Sequence, residues 1–100
     1  MGQSQRVSAA TRIDAKIVES VARGSKPDTL TPLKLALNGE PITRPPRAKR
    51  VHAWVRYRGV PVLVDAEAVA WTPRAVGIRW QAAPGDIHQA WVWASAVSEV

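Results

Sequence analysis

The sequence contains no cysteine, which removes any disulfide framework, any thiolate metal site and any thiol nucleophile. A cytoplasmic setting fits that absence. Nor is there an uncharged apolar stretch approaching the roughly 20 residues that a membrane-spanning helix needs, so no membrane partner is expected. The opening MGQSQRVSAATR carries no apolar segment after its charges, and Arg6 stands where the myristoylation pattern wants Ser or Thr. Neither a secretory leader nor lipidation is expected.

Catalytic signatures are equally scarce. The two histidines, His52 and His88, have no G-x-S-x-G setting around them, and neither a Walker loop nor G-x-G-x-x-G occurs. Each histidine falls on an expected strand without a carboxylate at ligand spacing, so both read as ordinary surface residues rather than as metal ligands. Asp65 and Glu67, two apart, read as solvated edge or turn residues before they read as a carboxylate pair. The expectation is a protein that is not an enzyme and takes no cofactor or metal. Convergence of His52, His88 and Asp65 or Asp86 in one pocket would revive catalysis.

What the chain does have is an uneven distribution of charge. All of its net charge of +6 belongs to residues 1–50, whereas the cations and acids of residues 51–100 cancel. The aromatic residues are the reverse: Trp54, Tyr57, Trp71, Trp80, Trp91 and Trp93 all lie in the second half. This is the pattern of a basic arm, 1–50, attached to an aromatic-rich body, 51–100. With 100 residues there is room for one small domain.

Within the arm, Thr11 as cap, Asp14 three residues on and Ile13, Ile17 and Val21 at helical spacing predict a helix over about 11–23. Gly24 supplies its stop, and Glu19 and Arg23 are placed to pair. The stripe Ile13, Ile17, Val21 needs cover from the body, a second copy or a partner helix. Thr31, Pro32 and the Asn38-Gly39 terminator predict a short second helix over about 31–38, although Leu33, Leu35 and Leu37 also alternate as a strand would. Residues 41–50, with Pro45-Pro46, are expected as an extended, semi-rigid linker.

From Val51 the period becomes two. Val51, Ala53, Val55 and Tyr57 line one face and His52, Trp54, Arg56 and Arg58 the other, up to Gly59. VPVLV, AVAWT, VGIRW and IHQAWVWA then read as four further strands, with Pro73 and Pro84-Gly85 at turns. Val76, Ile78 and Trp80 share a face. Five short strands in so few residues predict a mainly β body with a helical N-terminal arm, closed into a small five-stranded SH3-like or OB-like barrel, since an open sheet this short would expose its edges. In AWVWASAV, Trp91 and Trp93 project to one face and Val92 to the other. That suits a central strand covered on both sides, or else an aromatic docking surface.

Arg44, Arg47, Lys49, Arg50, Arg56 and Arg58 form the one constellation with chemistry in it, because no acid occurs between Glu40 and Asp65. If Trp54 shares their face, an indole could stack a base while guanidinium groups meet phosphates. The competing reading places Trp54 in the core and leaves the arginines as a solvated edge.

VHAWVRY, AVAWTPRAVGIRW and HQAWVWASAV, which span about the last half of the chain, resemble small proteins of actinobacterial phages that are themselves functionally uncharacterised. The resemblance implies a viral accessory or virion protein and transfers no catalytic residue. The function expected from the sequence is therefore a non-enzymatic interaction module contacting nucleic acid, largely independent of base sequence. Its alternative is a virion structural or assembly protein, a head, connector or decoration component, whose arm packs on neighbouring subunits. A homo-oligomer fits either.

Overall fold

The computed structural model describes residues 15–31 and 41–100. The expected second helix over 31–38 falls almost wholly outside them, as do residues 11–14 at the start of the expected first helix. The described elements are α1 (Ala15–Ala22), β1 (Lys49–Tyr57), β2 (Val60–Trp71), β3 (Ala75–Ala83), β4 (Asp86–Trp93), a 3-10 turn (Ala94–Ala96) and β5 (Val97–Glu99).

Strand β1 follows its sequence period. Val51, Ala53, Val55 and Tyr57 are buried, while Trp54 and Arg56 face outward. The hairpin to β2 turns on Arg58 and Gly59, between the paired residues Tyr57 and Val60. Both turn residues have positive φ, 52° and 81°, the geometry of a type I′ loop whose twist matches that of the strands it joins. Arg58 is thus a turn residue rather than the last member of the β1 outer face.

Strand β2 replaces two expected strands. Val62, Val64, Ala66, Ala68 and Ala70 are all buried, so the period of two continues straight through Asp65 and Glu67 and points those acids at solvent. β2 pairs with β1 along Val60–Ala68 and with β3 from Glu67 to Trp71, with an irregularity between Ala68 and Ala70. Buried Thr72 closes the next turn, its hydroxyl accepting from the Ala75 N–H at 3.0 Å and its N–H donating to the Ala75 carbonyl at 2.9 Å. Pro84-Gly85 joins β3 to β4, with Gly85 at φ 78° as the third residue of a type II turn requires.

The five strands form an open antiparallel sheet in the order β4-β3-β2-β1-β5, so the expected barrel, SH3-like or OB-like, is not formed. β4 and β5 are the two edges and do not pair with each other. The fifth strand is also a different one: β5 is a three-residue strand that pairs with Val51–Ala53 of β1 after the 3-10 turn. Closure was expected because bare edges are costly, but short edges and local cover serve the same end. Here β5 is short, and β4 is covered at Trp91, whose carbonyl accepts from the Leu30 N–H at 2.9 Å and whose N–H donates to Thr29 Oγ1 at 2.8 Å. The same segment reaches β1, where the Asp28 N–H donates to the Arg56 carbonyl at 2.7 Å.

Helix α1 packs on β2 and β3 through buried Val18 and Ala22, with Val21 partly buried against the same core. Ile17 is 56% exposed, so the stripe is rotated by one residue from the expected one. Gly24, at φ 67°, ends the helix as expected, and the Ser25 N–H donates to the Ala22 carbonyl at 2.9 Å. The expected Glu19–Arg23 ion pair is not formed. The core beneath α1 is rich in alanine, with Ala53, Ala66, Ala68 and Ala82 buried beside Val55, Val64, Ile78 and Trp80. Small side chains let helix and sheet approach closely. The approach to β1 is docked rather than free, since Thr43 and Trp71 exchange backbone hydrogen bonds of 2.7 and 2.9 Å.

Candidate functional site

The outward face of β1 carries Arg50, His52, Trp54 and Arg56. Trp54 is 45% exposed. Arg50 is held at 3.4 Å by Asp65 and lies opposite Glu67, which in turn binds Arg79 at 2.9 Å. Local acids therefore counter the charge at that end of the strand. Lys49 points elsewhere, its Nζ 5.4 Å from the centre of the Trp71 ring, a cation–π contact. Arg44 and Arg47 are exposed on the approach to β1. Among the described residues Arg44, Arg47, Arg56 and Arg58 make no ion pair. The six expected cations are thus distributed over several surfaces, and Arg56 is the unpaired one that stays on the strand beside Trp54.

Beside Trp54 lies a groove of about 750 Å³, lined by Leu30, Arg56, Pro61, Trp91 and Trp93 among others. Strands β1 and β4 flank it and the segment around Thr29 runs along it. Trp93 is 44% exposed and Trp91 partly buried, while Val92 between them belongs to the core. Strand β4 is therefore an edge strand with one apolar face inward and two indoles outward, not a central strand covered on both sides. The ring of Trp91 lies over its pairing partner Gly77, where an added Cβ would sit 3.2 Å from the indole. Glycine at 77 gives the ring its seat. Sequence reasoning placed Trp54 with its arginine but did not join it to Trp91 and Trp93, because they stand on strands far apart in both sequence and sheet order. The available signal was Trp91-Val92-Trp93, whose alternation marks outward indoles once one face alone is covered.

The other aromatic cluster is internal. Trp80 Nε1–H donates to the Tyr57 hydroxyl at 3.0 Å, and that hydroxyl lies 2.7 Å from His88 Nδ1. An indole N–H can only donate, so the Tyr57 oxygen accepts from Trp80, while the direction of its bond with His88 Nδ1 is set by the imidazole tautomer. His88 Nε2 lies 3.3 Å from an Asp86 carboxylate oxygen. Burial pushes the Tyr57 pKa above the ordinary tyrosine range; the hydrogen bond from Trp80 opposes the shift and the charge of Asp86 adds to it. These groups support one another at the rim of the core. His52 faces outward opposite Asp65, on the other side of the sheet, so the two histidines do not converge. No group of three or more candidate metal ligands occurs among the described residues.

The chain matches no protein-family model, no curated protein and no solved structure. No helix among the described residues is long and apolar enough to cross a membrane.

Proposed function

We propose that the protein is a non-enzymatic interaction module that holds nucleic acid in the tryptophan groove, by stacking and phosphate contact, largely independent of base sequence. The observation that carries this reading is Trp54, nearly half exposed, two residues from Arg56, which forms no ion pair among the described residues, on a groove it shares with Trp91 and Trp93. Indoles exposed together cost solvation and earn their place by taking a ligand. A positively charged chain supplies the long-range attraction that draws a polyanion to them. Arg50, held by Asp65, contributes less than the sequence implies, and Lys49 contributes from another surface.

A second reading, the assembly protein whose arm packs on neighbouring subunits through Ile13, Ile17 and Val21, is favoured by exposed Ile17 on α1. Against it, Val18 and Ala22 already seat the helix on its own sheet, which leaves less of the arm to a neighbour. Ile13 lies outside the described residues.

The test is intrinsic tryptophan fluorescence during titration with a short single-stranded oligonucleotide at low and moderate salt, for the native chain and Trp54→Ala. The reading expects quenching that weakens as salt rises and is much reduced in the variant. Quenching of equal size in both chains, or none at low salt, contradicts it.

A further inference from the structure

A second, smaller cavity adjoins the groove and extends the proposed site. It measures about 220 Å³ and is lined by Thr29, Arg44, Val69, Gly77, Gln89 and Trp91 among others. Trp91 and Thr29 line both cavities, so a ligand leaving the groove over the Trp91 ring arrives at Arg44. We infer, resting on the nucleic-acid reading above, that the ligand is an unpaired strand, its bases stacked on Trp54, Trp93 and Trp91 and its phosphates met by Arg56 at one end and Arg44 at the other.

Three observations carry the path. First, none of the three indoles makes a ring contact with another aromatic residue or a cation among the described residues, whereas Trp71 and Trp80 both do. Trp54 and Trp93 are 45% and 44% exposed, and Trp91, one side of whose ring is seated on Gly77, lines the same groove. Second, Arg44 and Arg56 have no ion-pair partner among the described residues. One carboxylate, Asp28, lines the groove at its Gly59 end, where it accepts from the Gly59 N–H at 3.0 Å, and none lines the smaller cavity. Third, a groove of about 750 Å³ falls within the roughly 300–1,000 Å³ of small-ligand sites, room for a few bases rather than for a helix. In a duplex both faces of each internal base are already stacked, so the indoles would find no platform partner. Stacking on aromatic side chains with cations along the backbone is the physics of single-strand binding.

The experiment measures fluorescence anisotropy of labelled oligothymidylate, of the same strand annealed to oligoadenylate, and of an abasic strand of equal length, each with the native chain across a salt series. The unpaired strand should bind at least about ten-fold more tightly than either competitor, as the loss of stacked bases implies. Its affinity should fall with a log–log salt slope of roughly −1.4, the value for about two phosphates on a single strand. Arg44→Ala, an exposed position whose fold is checked by melting, should make that slope shallower by about 0.7. Duplex or abasic strand binding as tightly as oligothymidylate overturns the unpaired-strand inference while leaving nucleic-acid contact standing. A slope unchanged in Arg44→Ala overturns the path to Arg44. If no strand binds, both readings fall and the groove belongs to another class of ligand, such as a proline-rich peptide.

Discussion

Trp80 and Trp93 stand on neighbouring strands of one sheet, yet one is 3% exposed and the other 44%. The difference lies in what meets each indole. Trp80 finds a hydroxyl for its N–H and two rings for its edges, in Tyr57 and His88, and belongs to the core cluster that also takes in Val18 and Ala22 of the helix. Trp93, like Trp54 and Trp91, has no ring partner within the described chain and borders a groove. A large amphipathic ring is kept inside where its polar atom is satisfied. Where no internal ring partner is supplied, the ring remains available for something outside the molecule.

Substitutions that confuse the two regions should separate them in energy. The largest effect is expected from Trp80→Ala, which leaves a large cavity in the core and strips the Tyr57 hydroxyl of its donor. A loss of about 3–5 kcal/mol in unfolding free energy is expected from truncating a buried aromatic residue, measured by urea denaturation. Next comes Tyr57→Phe, which keeps the packing but deprives Trp80 Nε1–H and His88 Nδ1 of their shared partner. About 1–3 kcal/mol is expected for buried groups left unsatisfied, and a melting curve unchanged from the native one would show that the hydrogen-bond chain contributes nothing.

Alkaline pH sharpens the same comparison without mutation. The Tyr57 pKa is raised in the folded chain, so the folded state holds that proton more tightly than the unfolded state does. Its contribution to stability is therefore fully present below the unfolded tyrosine pKa of about 10 and is lost as pH rises from there through the folded value. Because Tyr57 is the sole tyrosine, phenolate absorbance in folded and denatured chains reads both titrations directly. Coincident titrations would contradict the burial argument. The smallest effect on stability is expected from Trp93→Ala, within about 0.5 kcal/mol for a surface position, although the same change should weaken binding in the groove.

The legible parts of the fold were those that rest on one strand's own period. Val51, Ala53, Val55 and Tyr57 share one face and Trp54 and Arg56 the other, as their alternation requires, whereas which of the two faces turns inward was open in the sequence and is decided by what packs against the strand. Residues whose place depends on other strands were harder to read. Asp65 and Glu67 looked like a break between strands, but a two-residue spacing lets a long strand carry both acids on its wet face. The closed barrel was expected from edge cost alone; the backbone around Thr29 and the brevity of β5 answer that cost by means no strand pattern displays. Helix α1 turned Val18 inward rather than Ile17, since the apolar residues Ile17, Val18, Val21 and Ala22 allow two adjacent stripes and packing on alanine-rich β2 and β3 selects one. The groove itself joins opposite parts of the sheet order, so only its separate walls could be seen in advance.

The most direct test of the division between inner and outer tryptophans is the set of five indole N–H resonances, one per tryptophan, followed by two-dimensional nitrogen–proton NMR as oligothymidylate is added at low salt. The signals of Trp54, Trp91 and Trp93 should move together with one binding curve, while those of Trp71 and Trp80 stay in place. Movement led by Trp80, or stillness of all three groove signals, would contradict the assignment of the outer indoles to ligand and the inner ones to the core.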